Sequence, residues 1–221
     1  MSSSVPGNIS YMLTLIAKNI IMKMGLSREH IEAIATGSPV PLPDFTILDV
    51  GCGYGKWGFL IRDTFDVMLA QNFNKPDWKI RLTAIEPFDK CITDIQRDIY
   101  NEIIQKDIWE VIDELGQYDL VLMGDVIEHF EKEEAHRLLK GLFQHSGNIL
   151  ISTPLGMMPQ GAWAGNEREV HRSGWELVDF KEYTVVEHKI IQDEFTGELL
   201  KGMNIPKIGL LVLWLRQESS A

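Results

Sequence analysis

Apolar and polar positions follow an order along the chain that predicts strands separated by helices. Short apolar runs rich in β-branched residues predict five buried strands, at 45–50, 80–86, 99–105, 118–124 and 147–153. Segments with apolar residues at helical spacing lie between them, at 56–70, 89–98 and 131–144. This alternation predicts an α/β fold with a mostly parallel sheet and helices on both faces.

The amino-terminal segment has a different pattern from the rest of the chain. Residues 9–24 have helical spacing, and a second short helix is predicted to begin at Ser27, whose hydroxyl can cap it. Residues 36–43 contain three prolines and indicate a linker into the first strand. We therefore expect an amino-terminal helical cap and linker over 1–43 and the main domain over 44–221.

The first strand runs directly into a glycine-rich turn. Glycine has no Cβ, so Gly51, Gly53 and Gly55 can take positive φ and let a ligand approach the backbone. Asp49 stands two residues before the first glycine, where a carboxylate suits a cationic ligand end and repels a pyrophosphate. Gly58 completes a GxGxxG pattern with Gly53 and Gly55, so a nucleotide-binding Rossmann domain stays open as an alternative.

Two motifs carry a resemblance to a known family. The order Asp49-Val50-Gly51-Cys52-Gly53-Tyr54-Gly55 resembles the first motif of the class I S-adenosylmethionine (SAM) methyltransferases. Asp125-Val126-Ile127-Glu128-His129 follows a buried strand and resembles the D-V-(hydrophobic)-E-H motif of many small-molecule methyltransferases. Small bacterial methyltransferases of this type also share Trp57, residues 75–78 and residues 85–88.

The resemblance implies a Rossmann-like, seven-stranded and mostly parallel sheet that ends in an antiparallel strand pair. Residues 182–191 and 208–215 match that pair, with a turn at Gly197 between them. It also implies that the amino-terminal helix can act as a lid over the cofactor. The alternative is a helix that only packs on the domain.

The cofactor residues follow from the same resemblance. Glu86 ends the second strand, where an acid can accept hydrogen bonds from both ribose hydroxyls. Phe88 either stacks beside the adenosine or packs in the core, and Asp107 either contacts adenine or only caps a helix. The complete expected set is Asp49, Gly51, Gly53, Gly55, Glu86, Pro87, Phe88, Asp107, Ile108 and Asp125.

Three residues are candidates for the acceptor end. Glu128 and His129 follow the fourth strand, and His171 lies in the long loop over 156–175. An unperturbed imidazole titrates near neutrality, so His129 is the first candidate for a general base and His171 the second. Glu128 would orient His129 or bind the acceptor. The loop forms either an acceptor pocket or a rim that its own hydrogen bonds hold in place.

Composition limits the partners. The net charge of −11 and the absence of a basic run argue against a nucleic-acid partner. The six histidines are scattered and the two cysteines lack a CxxC spacing, so no metal site is predicted. We see no signal peptide, and the apolar runs fall short of the ~20 residues that a membrane helix needs. We therefore expect a cytoplasmic protein without a membrane anchor.

These observations predict a SAM-dependent methyltransferase that methylates an O or N atom of a small-molecule or saccharide acceptor. Two alternatives remain at this point: a noncatalytic SAM-binding or scaffold protein of the same fold, and an NAD-dependent oxidoreductase. The sequence leaves the acceptor and the oligomeric state open.

Overall fold

The structure, a computed structural model, describes residues 6–192 and 209–217. Seven strands form one sheet: β1 (Phe45–Val50), β2 (Ile80–Ile85), β3 (Glu102–Ile104), β4 (Leu120–Gly124), β5 (Asn148–Pro154), β6 (Thr184–Gln192) and β7 (Gly209–Arg216). Their order is β3-β2-β1-β4-β5-β7-β6. Strand β7 is antiparallel to both β5 and β6, whereas β1/β2, β2/β3 and β4/β5 are parallel pairs. The predicted Rossmann-like sheet is confirmed, and the predicted Gly197 turn lies outside the described residues.

Six α-helices are described within these ranges: α1 (Pro6–Met24), α2 (Arg28–Thr36), α3 (Lys56–Ile61), α4 (Asp94–Ile99), α5 (Ile108–Val111) and α6 (Lys132–Leu142). The predicted cap of α2 is confirmed. The Ser27 hydroxyl accepts from the His30 amide, and the His30 ring accepts from the Ser27 amide. No helix in the described part of the chain is both long and apolar enough to cross a membrane.

Three predicted elements differ in extent from the observed ones. The helix predicted over 56–70 is α-helical only to Ile61 and continues as a wider π-helix over Arg62–Leu69. The helix predicted over 89–98 begins at Asp94, because Thr93 and Gln96 form a capping box there. The third strand is shorter than predicted, because the backbone leaves α4 at Tyr100 and pairs with β2 only from residue 102.

The chain divides into two compact units. The first comprises Leu13–Leu120, and the second comprises the residues up to Met12 together with those from Val121 onward. Strands β1 and β2 are almost entirely buried in the first unit, and β4, β5 and β7 in the second. Such near-continuous apolar strands are typical of a sheet that is covered on both faces. The predicted division at residue 43 stays a prediction.

A buried ion pair organises the first unit. The Arg62 guanidinium donates to the Asp66 carboxylate at 2.6 Å, and both side chains are less than 5% exposed. Arg62 also donates to the Ile99 carbonyl at 3.0 Å and to Asn101 Oδ1 at 2.6 Å. Asp66 Oδ1 accepts from the Lys79 amide at 2.7 Å. The pair thus ties the π-helix to the start of β2 and to the turn after α4.

Replacing Asp66 by Ala should therefore lower the unfolding free energy strongly, since it leaves a buried guanidinium without its charge partner. We expect a loss of about 3–5 kcal/mol in urea unfolding. The matched control is Glu32→Ala, which breaks the exposed i,i+4 pair with Arg28 and should cost about 0.5 kcal/mol or less. Equal losses in the two variants would contradict this account.

Candidate active site

The loop between β1 and α3 has the conformation that its glycines predict. Gly51, Gly53 and Gly55 have φ values of 69°, 50° and 79°, a region that side chains rarely adopt. Gly58 is required for a different reason. A Cβ at this position would lie 2.4 Å from Cζ of Tyr100, so the ring leaves no room for a side chain.

Tyr100 lies against the glycine loop and holds Asp49. Its hydroxyl donates to Asp49 Oδ2 at 2.5 Å and accepts from the Gly58 amide at 3.2 Å. Asp49 is 1% exposed, and its other oxygen, Oδ1, is buried with no hydrogen-bond partner in the described part of the chain. Tyr100 could not be found from the sequence, because it lies 51 residues from Asp49 and belongs to no motif.

Burial disfavours the charged form of Asp49. It raises the pKa of this carboxyl to about 7, against the opposing hydrogen bond from Tyr100, and the negative charge of Glu86 raises the pKa as well. The site therefore holds an acid that is half protonated near neutrality.

Glu86 joins the loop after β1 to the loop after β2. Its two carboxylate oxygens accept from the amides of Gly53 and Phe88, each at 2.9 Å. A carboxylate offers about four lone-pair sites, so these two bonds are compatible with further hydroxyl donors. Pro87 and Phe88 follow and are half-buried, and the Lys90 amine lies 5.7 Å from the Phe88 ring centre.

Asp107 caps a helix. Its carboxylate accepts from the Trp109 amide at 3.1 Å, and the Glu110 carboxylate accepts from the Asp107 amide at 3.1 Å. The capping alternative is thus present in the structure. Ile108, the first residue of α5, is buried. Contact of Asp107 and Ile108 with adenine stays a prediction.

In the second unit, Asp125 follows β4 with an unusual backbone conformation. Its φ is 59° although it carries a side chain, and such strained residues cluster at functional sites. Ser152 donates to Asp125 Oδ1 at 3.1 Å, and the Asp125 amide donates to the Ser152 carbonyl at 2.8 Å. Ser152 of β5 therefore fixes the residue that follows β4.

Glu128, His129 and His171 come together in the second unit, and we call them the acceptor cluster. The two imidazole ring centres lie 4.9 Å apart at an interplanar angle of 63°. Glu128 Oε2 accepts from the Thr153 hydroxyl at 3.0 Å, whereas Oε1 is buried and finds no partner among the residues that the structure describes. All three residues of the cluster were predicted from the sequence, but neither the proximity of His171 to His129 nor the role of Thr153 was.

The loop after β5 places His171 in this cluster. The amides of Arg172 and Ser173 donate to the Glu128 carbonyl at 2.8 and 3.1 Å. Within the loop, the His171 amide donates to the Gln160 carbonyl at 3.1 Å, and the Gln160 side chain donates to the Glu169 carbonyl at 2.8 Å. The loop is thus held by its own hydrogen bonds and also presents a side chain to the cluster.

Burial governs the protonation of the cluster. It raises the pKa of Glu128 well above its usual value, and the charge of Asp125 adds to that effect. Burial lowers the pKa of His129 to about 4, helped by the neighbouring His171, and burial also lowers the pKa of His171. His129 is therefore a neutral imidazole at physiological pH, and its conjugate acid holds a proton weakly.

Residues 18–200 match the family model described as a methyltransferase domain. The chain belongs to this methyltransferase family. It is a class I SAM-dependent methyltransferase, as the two motifs indicated, and its cofactor is SAM. None of the curated proteins matches the sequence significantly.

Solved structures of low sequence identity share the fold. Magnesium protoporphyrin IX methyltransferase from Synechocystis, with bound SAM, is 15% identical, with a TM-score of 0.52 over 96% of this chain and 80% of that one. The cyclopropane synthase MmaA2 from Mycobacterium tuberculosis is 13% identical, with a TM-score of 0.56 over 97% and 90%. The N-terminal domain of EvdMO1, with bound S-adenosylhomocysteine (SAH), is 15% identical, with a TM-score of 0.51 over 87% and 82%.

The buried carboxyl of Asp49 predicts a pH dependence of stability. It stays protonated in the folded protein up to about pH 7 but ionises near pH 4 in an unfolded chain. Its stabilising contribution is thus complete below about pH 4 and is lost as the pH rises through 7. Relative to Asp49→Asn, the unfolding free energy of the wild type should fall by up to ~1.4 kcal/mol per pH unit in this window and level off above it.

Chemical denaturation of the ligand-free protein at a series of pH values measures this difference. Tyr100→Phe serves as a second variant. It removes the hydrogen bond that lowers the pKa of Asp49, so the decline should extend to higher pH. Parallel stability curves for the wild type and Asp49→Asn would refute the assignment.

Proposed function

We propose that this methyltransferase methylates an O or N atom of a small-molecule or saccharide acceptor. The observation that carries the proposal is the acceptor cluster, in which the buried carboxyl group of Glu128 lies close to the imidazoles of His129 and His171. SAM supplies a methyl group on a sulfonium, whose sulfur leaves as a neutral thioether. The protein's main contribution is to hold the acceptor in line with that methyl group, which can supply ~7–11 kcal/mol of the barrier.

The residues of the first unit fit SAM. Asp49 Oδ1 is a buried carboxyl oxygen to which no described residue donates a hydrogen bond, and the ammonium of the methionine moiety would supply the donor and the positive charge. Glu86 would accept from the ribose hydroxyls, and its bonds to Gly53 and Phe88 hold its carboxylate in a fixed orientation. A Cβ at Gly53 would meet nothing within 4 Å, which is consistent with a ligand close to this backbone.

The other proposed cofactor contacts are inferred from the places of the residues in the fold. Phe88 and Pro87 would lie beside the adenosine, and Asp107 and Ile108 would contact adenine from the start of α5. Asp125 would contact the methionine end of the cofactor; its strained backbone and the hydrogen bond from Ser152 fix its orientation.

The chemistry of the acceptor cluster favours a polar nucleophile. Carboxylate oxygens and the unprotonated nitrogens of neutral imidazoles accept hydrogen bonds from hydroxyl and amino groups. The net charge of −11 disfavours a polyanionic acceptor. His129 and His171 are the candidate proton acceptors, but burial lowers the pKa of both, so each is a weaker base than an exposed imidazole. Glu128 would bind the acceptor or orient His129.

Two substitutions separate cofactor binding from acceptor chemistry. Glu86→Ala should weaken SAH binding about 10- to 100-fold, because it removes charge-assisted hydrogen bonds. His129→Ala should leave SAH affinity within about threefold of the wild type and lower turnover about 10²-fold or more. Calorimetry measures the first quantity, and SAH release with a panel of hydroxylated and amino-bearing acceptors measures the second.

The control for Glu86→Ala is Glu114→Ala, which removes an exposed carboxylate from the same unit. It should leave both SAH affinity and turnover unchanged. If Glu86→Ala and His129→Ala weakened SAH binding equally, the division of roles would be wrong.

A further inference from the structure

The acceptor cluster has the composition of a metal site. One donor atom each from Glu128, His129 and His171 lies within 4.8 Å of the other two. Ligand atoms around one ion at ~2.1 Å are separated by roughly 3.4 Å in tetrahedral geometry. Side-chain shifts of about 1 Å therefore suffice to bring all three atoms onto a common ion.

Two of these side chains have buried polar atoms that no described residue satisfies. Within residues 6–192 and 209–217, neither Glu128 Oε1 nor His171 Nε2 has a hydrogen-bond partner. A buried polar atom without a partner is costly, so native proteins rarely retain one without a functional reason. Here two such atoms belong to the same cluster, and a single cation would satisfy both.

The opposite end of each side chain is held in the manner typical of metal ligands. His171 Nδ1 lies 2.6 Å from the Met158 carbonyl oxygen. A carbonyl only accepts, so Nδ1 carries the proton and Nε2 presents a lone pair. His129 Nδ1 makes a longer contact of 3.4 Å with the Val170 carbonyl. Glu128 Oε2 is fixed by the Thr153 hydroxyl. Backbone or carboxylate partners of this kind orient ligating side chains.

We propose that Glu128, His129 and His171 bind a divalent transition-metal ion. Two imidazole nitrogens and one carboxylate oxygen suit ions such as Zn²⁺, Co²⁺, Mn²⁺ or Fe²⁺, whereas Mg²⁺ and Ca²⁺ prefer oxygen ligands. Glu128 and His129 are adjacent, but His171 lies 42 positions after His129. The sequence predicts no metal site because these three residues have no short ligand spacing.

Three protein ligands leave coordination positions open, as in catalytic metal sites. This part of the inference rests on the proposed methyl transfer to oxygen. The ion would make an acceptor hydroxyl at an open position more acidic, so that its proton would pass to solvent. The acceptor oxygen would form the new C–O bond as the electrons of the breaking C–S bond stay on sulfur. The ion would thus replace a histidine base.

The test uses the full-length protein after treatment with a chelator and removal of the chelator. Titration calorimetry with Zn²⁺ and Mn²⁺, and visible absorption with Co²⁺, measure affinity and stoichiometry, with Mg²⁺ as the comparison ion. We expect one ion per chain, bound at least tenfold more tightly than Mg²⁺. His171→Ala and Glu128→Gln should each weaken binding at least tenfold, and Thr153→Val should weaken it less.

Glu169→Gln is the matched control. Glu169 contributes charge near Glu128 and His171 but is not a member of the cluster, so this variant should bind the ion like the wild type. SAH affinity of each sample reports whether the variant is folded and tests the methyltransferase assignment separately. Wild-type protein that binds SAH but binds no transition metal at one site per chain would overturn the metal proposal alone. An equal loss of metal binding in Glu169→Gln and His171→Ala would also overturn it.

Discussion

The first unit is built around the buried acid Asp49, one oxygen of which has no hydrogen-bond partner among the described residues. Asp49 lies near the end of the buried strand β1, and the Tyr100 hydroxyl donates a hydrogen bond to it. The neighbouring Glu86 adds a second negative charge, which makes ionisation of Asp49 less favourable still. Tyr100 in turn excludes any side chain from Gly58. Thus the acid, the ring and the glycine loop constrain one another.

This arrangement lowers the stability of the ligand-free protein. The binding of a cationic ligand explains why the protein retains it. A buried acid with an elevated pKa costs free energy at neutral pH, and a cationic ligand recovers that cost when it binds. The ammonium of SAM is such a ligand, so the electrostatics of the first unit agree with the cofactor of the family. Proteins often retain local destabilisation of this kind at functional sites.

The second unit also contains buried acidic side chains, here beside two imidazoles. Asp125 and Glu128 are both buried, and the charge of Asp125 raises the pKa of Glu128. Two neutral imidazoles adjoin them, so the group is rich in lone pairs and poor in donors. A cation would relieve this imbalance, which is the physical basis of the proposed metal site and of its link to a polar acceptor.

Local patterns explain what could be predicted from the sequence. The apolar runs located the strands, Ser27 located a helix start, and the positive φ values of the loop follow from Gly51, Gly53 and Gly55. Contacts between distant residues could not be predicted. Tyr100 reaches Asp49 across 51 positions, and His171 reaches His129 only because the Glu128 carbonyl accepts from the amides of Arg172 and Ser173. No propensity or motif encodes these pairings.

The central claim is that the glycine loop and its acid bind SAM, and calorimetric titration of the purified protein with SAH tests it most directly. We expect micromolar binding at one site per chain, strongly weakened in Asp49→Ala, with no heat from NAD under the same conditions. Binding of NAD in place of SAH, or SAH binding that Asp49→Ala leaves unchanged, would contradict the account.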